Sequence, residues 1–164
     1  MKRIVALCFV SLLVLGVAQA FWHFSHLPER VAARFDFAGR PVGWMSRQAM
    51  LGWQLAAFLV IAGLLEGIAR INRLIPDGSI NLPHRDYWLA PEHRQATMDW
   101  LENMVRISAC GVLLLFLVLF HQVYRANLQP GDLTFSTGLT LVCVLLGMIA
   151  LLVSCLLRFS RRPS

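Results

Sequence analysis

Long apolar blocks alternate with short polar ones along this chain. Four apolar runs stand out: Ile4 to Trp22, Leu51 to Ala69, Ile107 to Tyr124 and Leu133 to Leu157. Each has roughly the 17–25 residues that a helix rising about 1.5 Å per residue needs to cross about 30 Å of hydrocarbon. Glu66 alone places a formal charge inside them, near one end of the second run. The pattern predicts an all-α fold, an integral membrane bundle of four transmembrane helices. Its expected organisation is a two-span unit with an outer cap loop (residues 1–69), a cytoplasmic loop with an amphipathic helix (70–106), and a second two-span unit with a basic tail (107–164).

The polar blocks have local logic of their own. The first, SHLPERVAARFDFAGRPVGWMSR, runs from Ser25 to Arg47. Pro28 restricts Leu27 to extended backbone, and Gly39 and Gly43 permit turns with positive φ. Val31, Phe35, Phe37 and Trp44 can then fold back onto the helix ends, so the block reads as a short cap pinned to the bundle. The second block contains RLIPDGSINLPHRDYWLAPEHR. Pro76-Asp77-Gly78 signals a turn, and Pro83 keeps the next stretch extended. Pro91 suits the first position of a helix, with Glu92 complementing the dipole. From there Thr97, Trp100, Leu101, Met104 and Val105 share one face, with Asp99, Glu102 and Asn103 toward the other. This helix either lies on the membrane surface or extends the third span into the cytoplasm. Pro130-Gly131 makes a tight turn between the last two spans.

Composition agrees with lipid as the solvent. The chain is 57% hydrophobic and 15% charged, with a mean hydropathy of +0.62, where a soluble domain carries about 25% charged residues. The net charge of +6 does not point to nucleic acid, because the basic residues flank the apolar runs and form no stripe. With the N-terminus in the cytoplasm, ten of them fall on the cytoplasmic side and five on the other. The positive-inside bias therefore places both termini and the middle loop in the cytoplasm, with the first polar block outside. Lys2, Arg3 and the Ala18-Gln19-Ala20 pattern also fit a cleaved secretory leader. The unbroken continuation through Phe21 and Trp22, and a small-residue pair at Gly16 and Ala20, favour a retained first span. Cys8, Cys110, Cys143 and Cys155 all lie in apolar runs without CxxC spacing, which suggests neither a disulfide framework nor a thiolate metal site.

Candidate chemistry is sparse. Glu66 and Arg70 have the i,i+4 spacing of a helix ion pair. Glu66 is either an Arg-paired boundary group or an intramembrane ligand. Gly63 and Gly67 form a GxxxG, expected to serve packing within the chain. His23 and His26, spaced i,i+3, are weak metal candidates if Glu29 or His121 arrives as a third ligand. Ser136, Thr137 and Thr140 suit bonds between helices. No H-E-x-x-H, G-x-S-x-G or P-loop is present, so an enzyme is not expected, nor a cofactor.

The first block also carries a resemblance. Leu27-Pro28, Val31, Arg34-Phe35-Asp36, Gly39, Gly43-Trp44 and Ser46-Arg47 resemble the uncharacterised domain at the start of SdpI-like bacterial multi-pass membrane proteins, over Leu7 to Gln54. Arg34 stands where that family commonly has a histidine. Ile80 to Arg94 resembles a second block of its short members, with His84 in place of a more typical asparagine. The resemblance implies a bacterial inner-membrane protein, in contact with the lipid bilayer, acting in immunity or signalling. It would bind or sense an extracytoplasmic peptide or protein ligand through Arg34, Asp36, Gly39 and Trp44, and engage a cytoplasmic protein partner through Asn81, Asp86, Tyr87 and Trp88. An accessory transport subunit and a small intramembrane enzyme are the alternatives. A transporter calls for ionisable groups near the bilayer midplane, which these runs lack.

Overall fold

A computed structural model describes residues 2–36, 39–71, 75–128 and 134–160. Helix α1 (Lys2–His26) leads into an antiparallel hairpin of β1 (Arg30–Phe35) and β2 (Pro41–Ser46), and α2 (Arg47–Ile71) follows directly. After a single 3₁₀ turn at Asp77–Ser79 come a short α3 (Arg85–Trp88), the long α4 (Pro91–Leu128) and α5 (Thr134–Ser160). Among the described residues, α1, α2, α4 and α5 are long and apolar enough to cross a membrane. At most 17% of the residues in any spanning window are buried within the protein. The remaining apolar surface needs a hydrocarbon solvent, so the chain is a multi-pass, all-α membrane bundle.

Local signals set several element ends. Ser46 caps α2, its Oγ accepting the Ala49 N–H at 3.1 Å. Pro91 opens α4 with Glu92 in the first turn. The Ser79 N–H donates to the Pro76 carbonyl at 2.9 Å, closing the expected turn.

At 1.5 Å per residue, the 38 residues of α4 reach about 57 Å, nearly twice a bilayer's hydrocarbon thickness. The stretch from Pro91 to Arg106 thus extends the third span as one continuous rod. Helix α4 is also the axis of the bundle, with α1, α2 and α5 all packed against it.

Two packing expectations change. Glu102 and Asn103, expected on the outward polar face of α4, are buried. Leu101, Met104 and Val105 instead line an open apolar groove facing α2 and α5. In lipid the usual polarity of an amphipathic helix is relaxed, because apolar faces can look outward and polar ones gain by pairing inside. A Cβ added at Gly63 or Gly67 meets nothing within 4 Å, so this GxxxG faces away from the bundle. Gly16 is the glycine the packing requires: a Cβ there would run into the Phe58 ring. Ala20, one turn on, is fully buried, and α1 and α2 come together along this face.

Phe37, Pro130-Gly131 and the side chains of Ser136, Thr137 and Thr140 lie outside the described set. The apolar core gathers at the hairpin end of the bundle, where Leu27, Val31, Met50, Phe58, Leu113, Phe120 and Tyr124 meet.

Candidate functional site

The hairpin is built for rigidity. Val31 pairs with Met45 and Ala32 with Trp44, but Arg34 pairs with Gly43, leaving Ala33 as the extra residue of a bulge. The connecting turn is closed by reciprocal bonds between Asp36 and Arg40. The Asp36 N–H donates to the Arg40 carbonyl at 2.9 Å, and the Arg40 N–H donates to Asp36 Oδ1 at 2.8 Å. Gly39 sits at φ 75°, the left-handed conformation that favours glycine. At the base, the Arg47 N–H donates to the Glu29 carbonyl at 3.0 Å. Asp36 and Gly39 therefore shape the turn, while Arg34 and Trp44 face outward on the strands.

Besides the apolar packing of Val31, one side chain bonds this hairpin to the bundle through its backbone groups. Asn127, near the end of α4, accepts the Ala32 N–H at 2.7 Å and donates to the Ala32 carbonyl at 2.9 Å. A second bond to the Val123 carbonyl, 2.8 Å, holds the amide in its own helix. The side chain thus stands in for a third strand at the free edge of β1, satisfying groups that would otherwise be buried unpaired.

Beneath the hairpin runs a chain of polar side chains from three helices. The Tyr124 hydroxyl donates to Gln54 Oε1. Gln54 Nε2 donates to Gln19 Oε1 at 3.1 Å, and Gln19 Nε2 reaches the Leu117 carbonyl, also at 3.1 Å. Gln54 has no exposed surface, so in lipid it must be paired within the protein. His23 stacks on Tyr124, with ring centroids 4.1 Å apart and planes 17° from parallel, and its Nε2 lies 3.4 Å from His121 Nδ1. His26 turns away, its Nδ1 2.8 Å from the Trp22 carbonyl. The structure therefore pairs His23 with His121 rather than with His26. Among the described residues no three His, Cys, Asp or Glu side chains gather to hold a metal.

Between hairpin and bundle lies a cleft of about 380 Å³. Ala33, Met45, Met50, Trp53, Phe116 and Phe120 give it apolar walls, and Arg34 lines it with a charged group. Arg34 folds across its strand partner: a Cβ at Gly43 would come 2.7 Å from Arg34 Nε. Gly43 is thus the space in which that guanidinium lies. The cleft falls in the size range of small-molecule sites.

At the opposite end, charge is neutralised inside the protein. Arg106 grips Glu66 with two bonds, Nη2 to Oε1 at 3.0 Å and Nε to Oε2 at 3.3 Å, and its Nη1 lies 2.8 Å from Glu102 Oε1. Arg70 adds the expected i,i+4 contact to Glu66 at 3.4 Å. Trp88 is held by α5: it meets the Phe159 ring edge-on at 5.3 Å, and the Arg158 guanidinium spans Trp88 and Trp100 at 5.9 and 4.9 Å from their centroids. Tyr87 stacks on His93 at 4.4 Å. Asp86 is exposed and lines a small surface pocket with Arg85, while Asn81 lines another beside Met98 and Leu101. These four loop residues do not converge on one surface. His84 sits in the left-handed region, φ 52° and ψ 40°, which tolerates asparagine better than histidine.

The sequence reading missed Gln19, Gln54 and Tyr124, and the docking role of Asn127. For the three amides the available signal was an uncharged polar group inside or beside an apolar run, where pairing across helices is expected.

The structure thus defines a multi-pass membrane protein whose first two spans embrace a docked hairpin. The family model for a domain of unknown function, DUF1648, matches residues 11–60. That interval runs from α1 through both strands into α2. No curated protein and no solved structure matches the chain.

Proposed function

We propose that this is a non-enzymatic protein of a bacterial inner membrane, with both termini in the cytoplasm, that binds or senses an envelope ligand at the hairpin. The excess of basic residues on the side of the termini supports that orientation. The observation that carries the reading is the cleft beneath the hairpin. A cap that only sealed the helix ends would be packed flush, whereas this one is held over an opening of about 380 Å³. Arg34 and Trp44 supply the outward contacts, and Asp36 and Gly39 fix the turn that presents them. Tyr87 and Trp88 connect α3 to α4 and α5, a route by which an event at the bundle could reach a cytoplasmic partner, and Asn81 and Asp86 lie exposed on the same loop. The resemblance to SdpI-like proteins supports immunity or signalling as the setting.

The test is a photo-crosslinking residue at Trp53, which lines the cleft and is 65% exposed, in intact cells. A discrete adduct that disappears when Leu119→Trp fills the cleft supports the reading. Adducts with bulk lipid only, unchanged by Leu119→Trp, refute it.

A further inference from the structure

We infer that the ligand of this cleft is an anionic phospholipid, with one acyl chain between the hairpin and α4 and its phosphate against Arg34. The inference rests on the preceding reading that the cleft is a binding site, and it names the chemistry of the occupant.

Three observations converge on it. The first is the pairing of surfaces: the walls are Met45, Met50, Trp53, Phe116, Phe120 and neighbours, and among the described residues Arg34 alone brings a formal charge to the cleft lining. An apolar slot with one cation at its rim is complementary to an amphiphile bearing one anion and repels a cationic peptide. The second is the state of that cation. Arg34 is exposed, and among the described residues no carboxylate pairs with it. Arg106, by contrast, is bound by two glutamates. The guanidinium is also placed: it lies in the gap left by Gly43, so less freedom is lost when it meets a planar array of phosphate oxygens. The third is the level in the membrane. Trp53, on the cleft wall, is less than two turns into a helix that begins at Arg47, and exposed tryptophans settle at the headgroup boundary. The mouth therefore opens where phosphates lie, and the walls continue toward hydrocarbon.

The polar segment also carries the matching field. Arg30, Arg34, Arg40 and Arg47 face Glu29 and Asp36, an excess of positive charge on the cap. Such an excess attracts any anionic lipid, so the inference requires that Arg34 act differently from its neighbours.

Native mass spectrometry of the full chain released from detergent tests this directly. The probes are phosphatidylglycerol and phosphatidylcholine with identical chains. The wild type should retain phosphatidylglycerol roughly tenfold more than phosphatidylcholine, about 1.4 kcal/mol. Arg34→Gln should abolish that preference, Leu119→Trp should reduce retention of both lipids, and Arg40→Gln should leave the preference intact. Equal retention of the two lipids by the wild type overturns the inference, as does equal loss of preference in the Arg34 and Arg40 variants. If the Trp53 probe captures a peptide while the lipids are retained equally, the cleft is a binding site and the phospholipid assignment alone falls. If the probe gives no discrete adduct and the lipids are retained equally, both fall.

Discussion

Truncating Asn127 to alanine should release the hairpin from the bundle without unfolding the helices. The wild-type amide makes bonds of 2.7 and 2.9 Å to the N–H and carbonyl of Ala32, a residue only 4% exposed. In Asn127→Ala both backbone groups lose their partner and gain no other strand. A buried unpaired donor or acceptor costs about 1–3 kcal/mol. Because water lies close to the cap, the lower end applies to each, which gives about 2 kcal/mol of lost docking energy. That corresponds to roughly a 30-fold rise in the population of the undocked hairpin. Hydrogen exchange of the full chain in lipid nanodiscs reads this population, as faster exchange in a peptide covering Arg30–Phe35. Asn127→Asp should fall between, since it keeps the acceptor for the Ala32 N–H but sets a carboxylate against the Ala32 carbonyl. Exchange of β1 within about twofold of wild type in both variants, with the helices equally protected, would refute the docking role given to Asn127.

Other outcomes follow from the same geometry. Gly16→Val should destabilise the bundle by about 1–3 kcal/mol, the usual cost of overpacking, because Phe58 occupies the space its Cβ needs. Thermal unfolding in detergent measures the loss, and Phe58→Leu should restore part of it. Glu66→Gln removes the carboxylate that Arg106 grips twice. After allowance for partial solvent screening this should cost about 1–2 kcal/mol, whereas Arg70→Gln, at an exposed partner, should cost less than half as much in the same assay. His84→Gly relieves a left-handed backbone and should raise stability by up to about 1 kcal/mol, with His84→Asn giving a smaller gain. Unchanged melting for both would remove strain at that position from consideration.

The class of protein was legible in one pass along the chain. Length and hydropathy decide insertion residue by residue, with no reference to a partner, and lipid replaces the distant contacts a soluble core would need. A turn at Gly39 was legible as well, because the backbone freedom of a glycine acts within a few residues of itself. That the cap is a bulged hairpin was not, since its register depends on which strand positions meet the bundle.

What the tertiary structure decided is which polar side chains find each other. Gln54 meets Gln19 across 35 residues, Arg106 meets Glu66 across 40, and Asn127 meets Ala32 across 95. No local pattern encodes those separations. The sequence also could not say which small-residue pair packs: Gly16 and Ala20 lie against neighbours, while Gly63 and Gly67 face open space. Both pairs sit in equally apolar helices, and in a bilayer an apolar face is equally at home against lipid or protein. Hydropathy therefore sets the rods in the membrane. Steric fit and hydrogen-bond pairing, absent from any hydropathy profile, turn them toward one another and open the cleft.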